Sequence, residues 1–153
     1  MMPSPTNVLP TGFEVDEGAL TLRFERTLSA SPRQVFDAWT KPDQLTMWWD
    51  ANGEKLSRCE VDLRVGGSYL FASPSHAHMP FTGTYTAIEP PHLIEFDAMG
   101  AIGRVEIKED GAKTRLVVEI VSPSEEHFAH FVKVGVAHGT AQTLDNLVAF
   151  LGA

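Results

Sequence analysis

Between Leu20 and Leu28 the chain reads LTLRFERTL, with Leu20, Leu22 and Phe24 alternating against Thr21, Arg23 and Glu25. A period of two collects the apolar side chains on one face and predicts a half-buried strand. The pattern then changes. In SASPRQVFDAWT, Ser31 is placed to cap a helix with Pro32 at its first position, and Val35, Phe36 and Trp39 recur at helical spacing. Pro42 ends that helix and opens a shorter one over PDQLTMWW, with Leu45, Trp48 and Trp49 toward its apolar side. Adjacent helical positions diverge by about 100°, so Trp48 and Trp49 cannot both face inward. One belongs to the core and the other to a pocket mouth or an interface.

From residue 56 onward the period returns to two. Strands are predicted over 56–65, 68–73, 81–88, 93–98, 104–109 and 114–122, punctuated by Gly66-Gly67, Pro90-Pro91 and Asp110-Gly111. Connections this short make neighbouring strands antiparallel. One face is apolar throughout, from Leu22 and Phe24 through Val61, Leu63 and Phe96 to Val105, Ile107, Leu116, Val118 and Ile120. The other carries Glu60, Asp62, Arg64, Glu106, Lys108, Arg115 and Glu119. Such a sheet is wet on one side and must be covered on the other.

The C-terminal segment supplies the cover. Pro123 and Ser124 open a helix with Glu125 and Glu126 in the first turn, where acidic groups suit the helix dipole. Phe128, Phe131 and Val132 point one way, whereas Leu144, Leu147, Val148 and Leu151 point nearly opposite. The face changes at GVAHG, residues 135–139, which predicts a break there and a long final helix over 140–151. Ahead of the first strand, proline-rich residues 1–18 read as a flexible arm, leaving 19–153 as a single domain. The fold class is therefore α+β: an antiparallel sheet of about six or seven strands, with two short helices after the first strand and a long C-terminal helix over its apolar face.

At 153 residues and a formal charge of −8 the chain is long enough for one real core and too acidic for tracking a phosphate backbone or an anionic membrane. No nucleic acid or membrane is expected as a partner. No stretch reaches the ~20 apolar residues of a membrane span, and the start lacks a signal-peptide pattern, so the expected location is cytoplasmic. A single cysteine, Cys59, excludes an internal disulfide or a CxxC motif and reads as a small core residue on a strand.

Four stretches, SPRQVFDAWTKPDQLTMWW, CEVDLRVGGSYLF, GTYTAIEPPHLIEF and GTAQTLDNLVAFL, occur in this order in the AHSA1-like branch of the START/Bet v 1-like (SRPBCC) superfamily, which the chain resembles from Leu20 to Leu151. The resemblance implies a helix-grip fold with a cavity between the sheet and the final helix. Two positions depart from the pattern. Gly139-Thr140 stands where relatives usually have Gly-Trp, and Val65 stands where they usually have proline before the glycine pair. Thr140 in place of an indole leaves either a roomier pocket or one filled by another aromatic.

Candidate chemistry is sparse. Asp62 and Arg64 share the wet face and read as scaffold, and Gly66-Gly67 as a tight turn, since no Lys-Ser/Thr follows to make a phosphate loop. His127 and His130, at i and i+3, lack an evident carboxylate or cysteine partner. His76 and His78 flank Ala77 in a loop that could approach the C-terminal helix. Neither set assigns a metal site. There is no GxSxG elbow, HExxH or supported Cys–His pair, so no catalytic residue and no cofactor are assigned. The ligand-binding candidates are Trp48, Trp49, Phe71, Phe81, Tyr85, Phe96, Met99, Phe131, Thr140 and Leu144, a set suited to a small apolar molecule. A binding protein is the leading expectation. The alternatives are a co-chaperone-like interaction module, for which an Hsp90-type partner is not expected because only a short arm precedes the domain, and a cavity-based enzyme of the cyclase or hydrolase type. An exposed tryptophan or the sheet edge could support a homodimer.

Overall fold

In the computed structural model, which describes residues 8–9 and 13–152, the alternating segments pair into one antiparallel sheet. Its strands are β1 (Val8–Leu9), β2 (Phe13–Asp16), β3 (Thr21–Leu28), β4 (Arg58–Val61), β5 (Ser68–Ala72), β6 (Phe81–Glu89), β7 (Leu93–Ala98), β8 (Ala101–Asp110) and β9 (Lys113–Val121). Their order across the sheet is β1-β2-β3-β9-β8-β7-β6-β5-β4. Helices α1 (Pro32–Thr40) and α2 (Pro42–Trp48) follow β3, a short 3-10 turn (Pro74–His76) follows β5, and α3 (Glu125–Lys133) and α4 (Val136–Leu151) close the chain. This is the expected α+β helix-grip.

Seven of the strands are those the alternation predicts. The other two, β1 and β2, fall within the segment read as an arm, whose residues 1–7 and 10–12 lie outside the described residues. Phe13 is the reason for β2: it pairs in register with Phe24 and stacks on its ring at 4.8 Å between centroids, becoming buried. The alternation of Phe13 and Val15 with Glu14 and Asp16 is too short to stand out beside the prolines, and its partner strand decides it.

Local chemistry sets α1. Ser31 Oγ accepts from Gln34 N at 3.2 Å while Gln34 Oε1 accepts from Ser31 N at 2.8 Å, a reciprocal capping box. Its inward residues Val35, Phe36 and Trp39 join Leu22, Phe24, Leu116, Leu144 and Leu147 in the core.

Three boundaries differ from expectation. The strand predicted over 56–65 stops at Val61, because Arg64 N turns back to Asp62 O (2.8 Å) and Gly67 N to Arg64 O (2.8 Å). Leu63 and Val65 are consequently exposed rather than on the apolar face. Asp62 and Arg64 form a 3.0 Å ion pair within this loop, and both side chains are so exposed, at 48 % and 73 %, that the pair contributes little. Gly67 is required: a Cβ there would lie 2.0 Å from Asp62 O. The break between the C-terminal helices falls at Val134 and Gly135, where Gly135 adopts φ +82°, and α4 begins at Val136, four residues before the expected start. Gly139 is tolerated inside the helix because its open side faces a cavity, with no atom within 4 Å of where a Cβ would be.

The outer face of the sheet is an ion-pair surface. Arg23 and Arg115 both reach Glu25, and Arg104 reaches Glu95 at 2.9 Å. The hydrogen bond from Arg23 holds the Glu25 carboxyl below its ordinary range.

Candidate functional site

Between the concave face of the sheet and α3–α4 lies a cavity of about 350 Å³. Its aromatic end is built from Trp49 at the end of α2, Phe71 on β5 and Phe81 on β6. Trp49 meets Phe71 edge-on at 4.9 Å and Phe81 at 5.2 Å. Two side chains of α4 hold this corner in place: Thr143 Oγ1 donates to Trp49 O (3.2 Å), and Asn146 Nδ2 donates to Asp50 O (2.9 Å). Phe96 on β7 leans across its register partner Gly103, where a Cβ would come within 2.6 Å of the ring. A glycine is therefore what lets the phenyl ring lie flat along this wall.

The opposite end is formed by Met99 and Phe131. Met99 sits at the β7–β8 turn with φ +53° followed by Gly100 at +84°, a pair of left-handed residues suited to a tight hairpin. His127 of α3 clasps this turn. Its Nε2 lies 2.8 Å from Met99 O, an acceptor, so Nε2 carries a proton, and Nδ1 lies 3.0 Å from Ser122 Oγ. His127 thus positions the hairpin at the cavity rim and is committed to the scaffold.

Of the ligand-binding candidates, Trp49, Phe71, Phe81, Phe96, Met99, Phe131, Thr140 and Leu144 line the cavity. Trp48 and Tyr85 do not. Trp48 is 1 % exposed, packs edge-on against Trp39, and donates from Nε1 to Ala38 O at 3.0 Å, which makes it the core member of the tryptophan pair. Tyr85 stands behind the wall among Tyr69, Phe71 and Phe96 beside a void far smaller than the cavity. Burial pushes the phenols of Tyr69 and Tyr85 well above their ordinary range, so both remain neutral hydroxyls. Tyr69 donates to Asp97 O at 2.8 Å.

Trp39, Asp50, Ser73 and Thr143, which the sequence reading missed, and His76, which it named only for a loop that could approach the C-terminal helix, also stand on the wall. Trp39 carries a helical apolar signal that cannot separate core from cavity. Its Nε1 is buried with no hydrogen-bond partner among the described residues. The polar residues belong to loops and to α4 and have no periodic signature. The group able to hold a cation among the described residues is Asp50, Glu54 and His76, each offering one ligand atom within 4.8 Å of the others. His76 reaches it through the loop after β5.

Cys59 is half-buried against the core rather than enclosed by it. Burial pushes its thiol up to about 11, opposed by a hydrogen bond with Thr46 and reinforced by Glu60. The thiolate is the reactive form. Alkylation of the native protein by iodoacetamide at neutral pH is expected to run about a hundredfold slower than for a free cysteine. Kinetics matching those of a free thiol would overturn this assignment.

The architecture is that of a helix-grip domain with a half-open, mainly apolar pocket between sheet and helices. The profile of the family described as "Activator of Hsp90 ATPase homolog 1-like protein" matches residues 29–152, and the chain belongs to that family. A search of curated proteins returns no match. Among solved structures, a protein of Mycobacterium smegmatis is similar at 20 % identity, covering 92 % of this chain and 96 % of its own, with a TM-score of 0.76. A protein of Nitrosomonas europaea is similar at 19 % identity, covering 88 % and 95 %, with a TM-score of 0.78. An AHSA1-like protein of Aeromonas hydrophila is similar at 22 % identity, covering 85 % and 92 %, with a TM-score of 0.69. At these identities the likeness concerns the fold. No helix among the described residues is long and apolar enough to cross a membrane.

Proposed function

We propose that this protein binds a small, largely apolar molecule between its sheet and its C-terminal helices. The observation that carries the reading is the cavity of about 350 Å³ with aromatic walls, a size within the ~300–1,000 Å³ range of small-molecule pockets. A packed core of the same fold would leave no such space, since natural interiors fill their volume to crystal-like density. The few polar groups on the wall, Asp50, Ser73, His76 and Thr143, would orient the ligand, and the aromatic and aliphatic side chains around them would accommodate its apolar body.

Native mass spectrometry of freshly purified protein, followed by solvent extraction, tests this. An adduct of a few hundred daltons, or saturable one-to-one uptake of the neutral probe N-phenyl-1-naphthylamine with quenching of tryptophan fluorescence, is the expected result. An adduct-free mass together with non-saturable probe uptake overturns the reading.

The family description supplies a second reading, a co-chaperone-like module acting through an outer surface. Retention on an immobilised Hsp90-type chaperone at micromolar concentration would favour it, and absence of retention would discard it.

A further inference from the structure

We propose that Asp50, Glu54 and His76 form a divalent-cation site at the mouth of the cavity, with open coordination positions that take an oxygen of the bound molecule. The cation site stands on its own geometry, and only the second half rests on the cavity being a ligand site.

Residues far apart in sequence meet here. Asp50 and Glu54 belong to the loop after α2, and His76 ends the 3-10 turn after β5. Ser75 N links the two loops by donating to Glu54 Oε1 at 3.4 Å. Asp50 Oδ2 accepts from Asn52 N (2.9 Å) and Glu54 N (3.2 Å), and His76 Nδ1 lies 3.2 Å from Ser73 Oγ. Each side chain is therefore tethered through one atom, and its second donor atom has no partner among the described residues. Metal ligands are oriented in this way by their outer partners. No lysine or arginine among the described residues forms an ion pair with Asp50 or Glu54, so neither carboxylate is engaged by a cationic side chain.

One imidazole nitrogen with two carboxylate oxygens is a mixed donor set suited to Zn²⁺, Co²⁺, Mn²⁺ or Fe²⁺. Ligand atoms ~2.1 Å from a tetrahedral ion lie ~3.4 Å apart. The present spacing, within 4.8 Å, closes to that by rotation of exposed or half-buried side chains. Three protein ligands leave at least one position open. Asp50 and His76 line the cavity, so an ion they hold stands at its wall.

One further polar group on this wall is unpartnered among the described residues. Trp39, 7 % exposed and on the same wall, has an indole N–H with no acceptor. A buried donor left unpaired is unfavourable by about 1–3 kcal/mol. This N–H is shut off from the cavity itself, so the open cation positions are what calls for an oxygen on the bound molecule.

The test is titration of the chelator-stripped full chain with Co²⁺, followed by visible absorption. The expected result is one Co²⁺ per chain, displaced by Zn²⁺. Glu54→Gln and His76→Ala each weaken binding about tenfold or more, with metal-free melting temperatures close to wild type, while His78→Ala leaves affinity unchanged. Benzohydroxamate, an oxygen chelator on an apolar ring, is expected to bind the Co²⁺-loaded protein about tenfold tighter than the metal-free protein, with a shift of the Co²⁺ bands. Absence of Co²⁺ binding, or undiminished binding in His76→Ala, overturns the site. Equal benzohydroxamate affinity with and without Co²⁺ overturns the second half. Retained N-phenyl-1-naphthylamine uptake without cation binding rejects this proposal and leaves the cavity reading intact. Cation binding without probe uptake does the reverse.

Discussion

Gly83→Ala is expected to lower the melting temperature by about 10–15 °C. Gly83 lies on β6 opposite Tyr69 of β5. A Cβ at this position would stand 1.9 Å from Asp97 O and 2.4 Å from Tyr69 Oη. The first of these atoms is backbone and cannot swing aside, so β6 and β7 must part. Their separation strains the Tyr69 hydroxyl bond to Asp97 O and the two bonds that Thr84 makes to the Asp97 carboxylate, from N at 3.0 Å and from Oγ1 at 2.7 Å. Overpacking alone costs about 1–3 kcal/mol, and a net hydrogen bond is worth about 1 kcal/mol. Together they amount to about 4 kcal/mol, a large part of the ~5–15 kcal/mol that holds a domain folded. Adding Tyr69→Phe removes the phenolic oxygen yet is not expected to rescue the variant, because the backbone clash remains. Thermal unfolding followed by circular dichroism decides the matter. A shift of only a degree or two would refute the close approach of β6 and β7.

Thr140→Trp is expected to abolish uptake of N-phenyl-1-naphthylamine while leaving the protein folded. Thr140 lies on the first turns of α4 with its side chain on the cavity wall, next to Gly139. An indole placed there enters existing space instead of displacing packed atoms. The filled volume is taken from the ligand, and the apolar area withdrawn from water adds stability of up to about 2 kcal/mol. At neighbouring Gly139 no atom lies within 4 Å of where a Cβ would stand, so this turn of α4 opens onto free space. Probe binding is expected to weaken by at least about a hundredfold, equivalent to about 2.7 kcal/mol, with an unchanged or raised melting temperature. Undiminished uptake by a folded Thr140→Trp protein would place the probe outside the cavity. Loss of uptake accompanied by unfolding would instead show that Thr140 belongs to packed structure, contradicting the open wall described above.

Thr140 also marks how far sequence carries. Its departure from the family pattern is visible in GTAQTLDNLVAFL alone, and so is the consequence, a missing large side chain. The outcome, an open cavity rather than a compensating aromatic, depends on Trp49, Phe81 and Phe96 arriving from three other elements. The tryptophan pair has the same logic. Helical geometry requires Trp48 and Trp49 to diverge, but the choice of Trp48 for the core is made by Trp39 packing edge-on against it and by Ala38 O accepting its N–H.

What the amino-acid sequence determined by itself is local. Ser31, Pro32 and Gln34 specify the start of α1 through atoms at most three residues apart. Asp110-Gly111 specifies the β8–β9 turn, and the alternations of Val105 and Ile107 and of Leu116 and Val118 place one face of each strand in the core. What only the tertiary structure decided is which element each face meets. Phe13 becomes a strand residue because Phe24 is beside it, and Leu63 is exposed because the chain turns back at Asp62. His76 comes to Asp50 and Glu54 because two loops are tied together by Ser75. Periodicity records the orientation of a side chain about its own axis. It carries no information about distance to a residue far along the chain, and a cavity and its polar mouth consist of such distances.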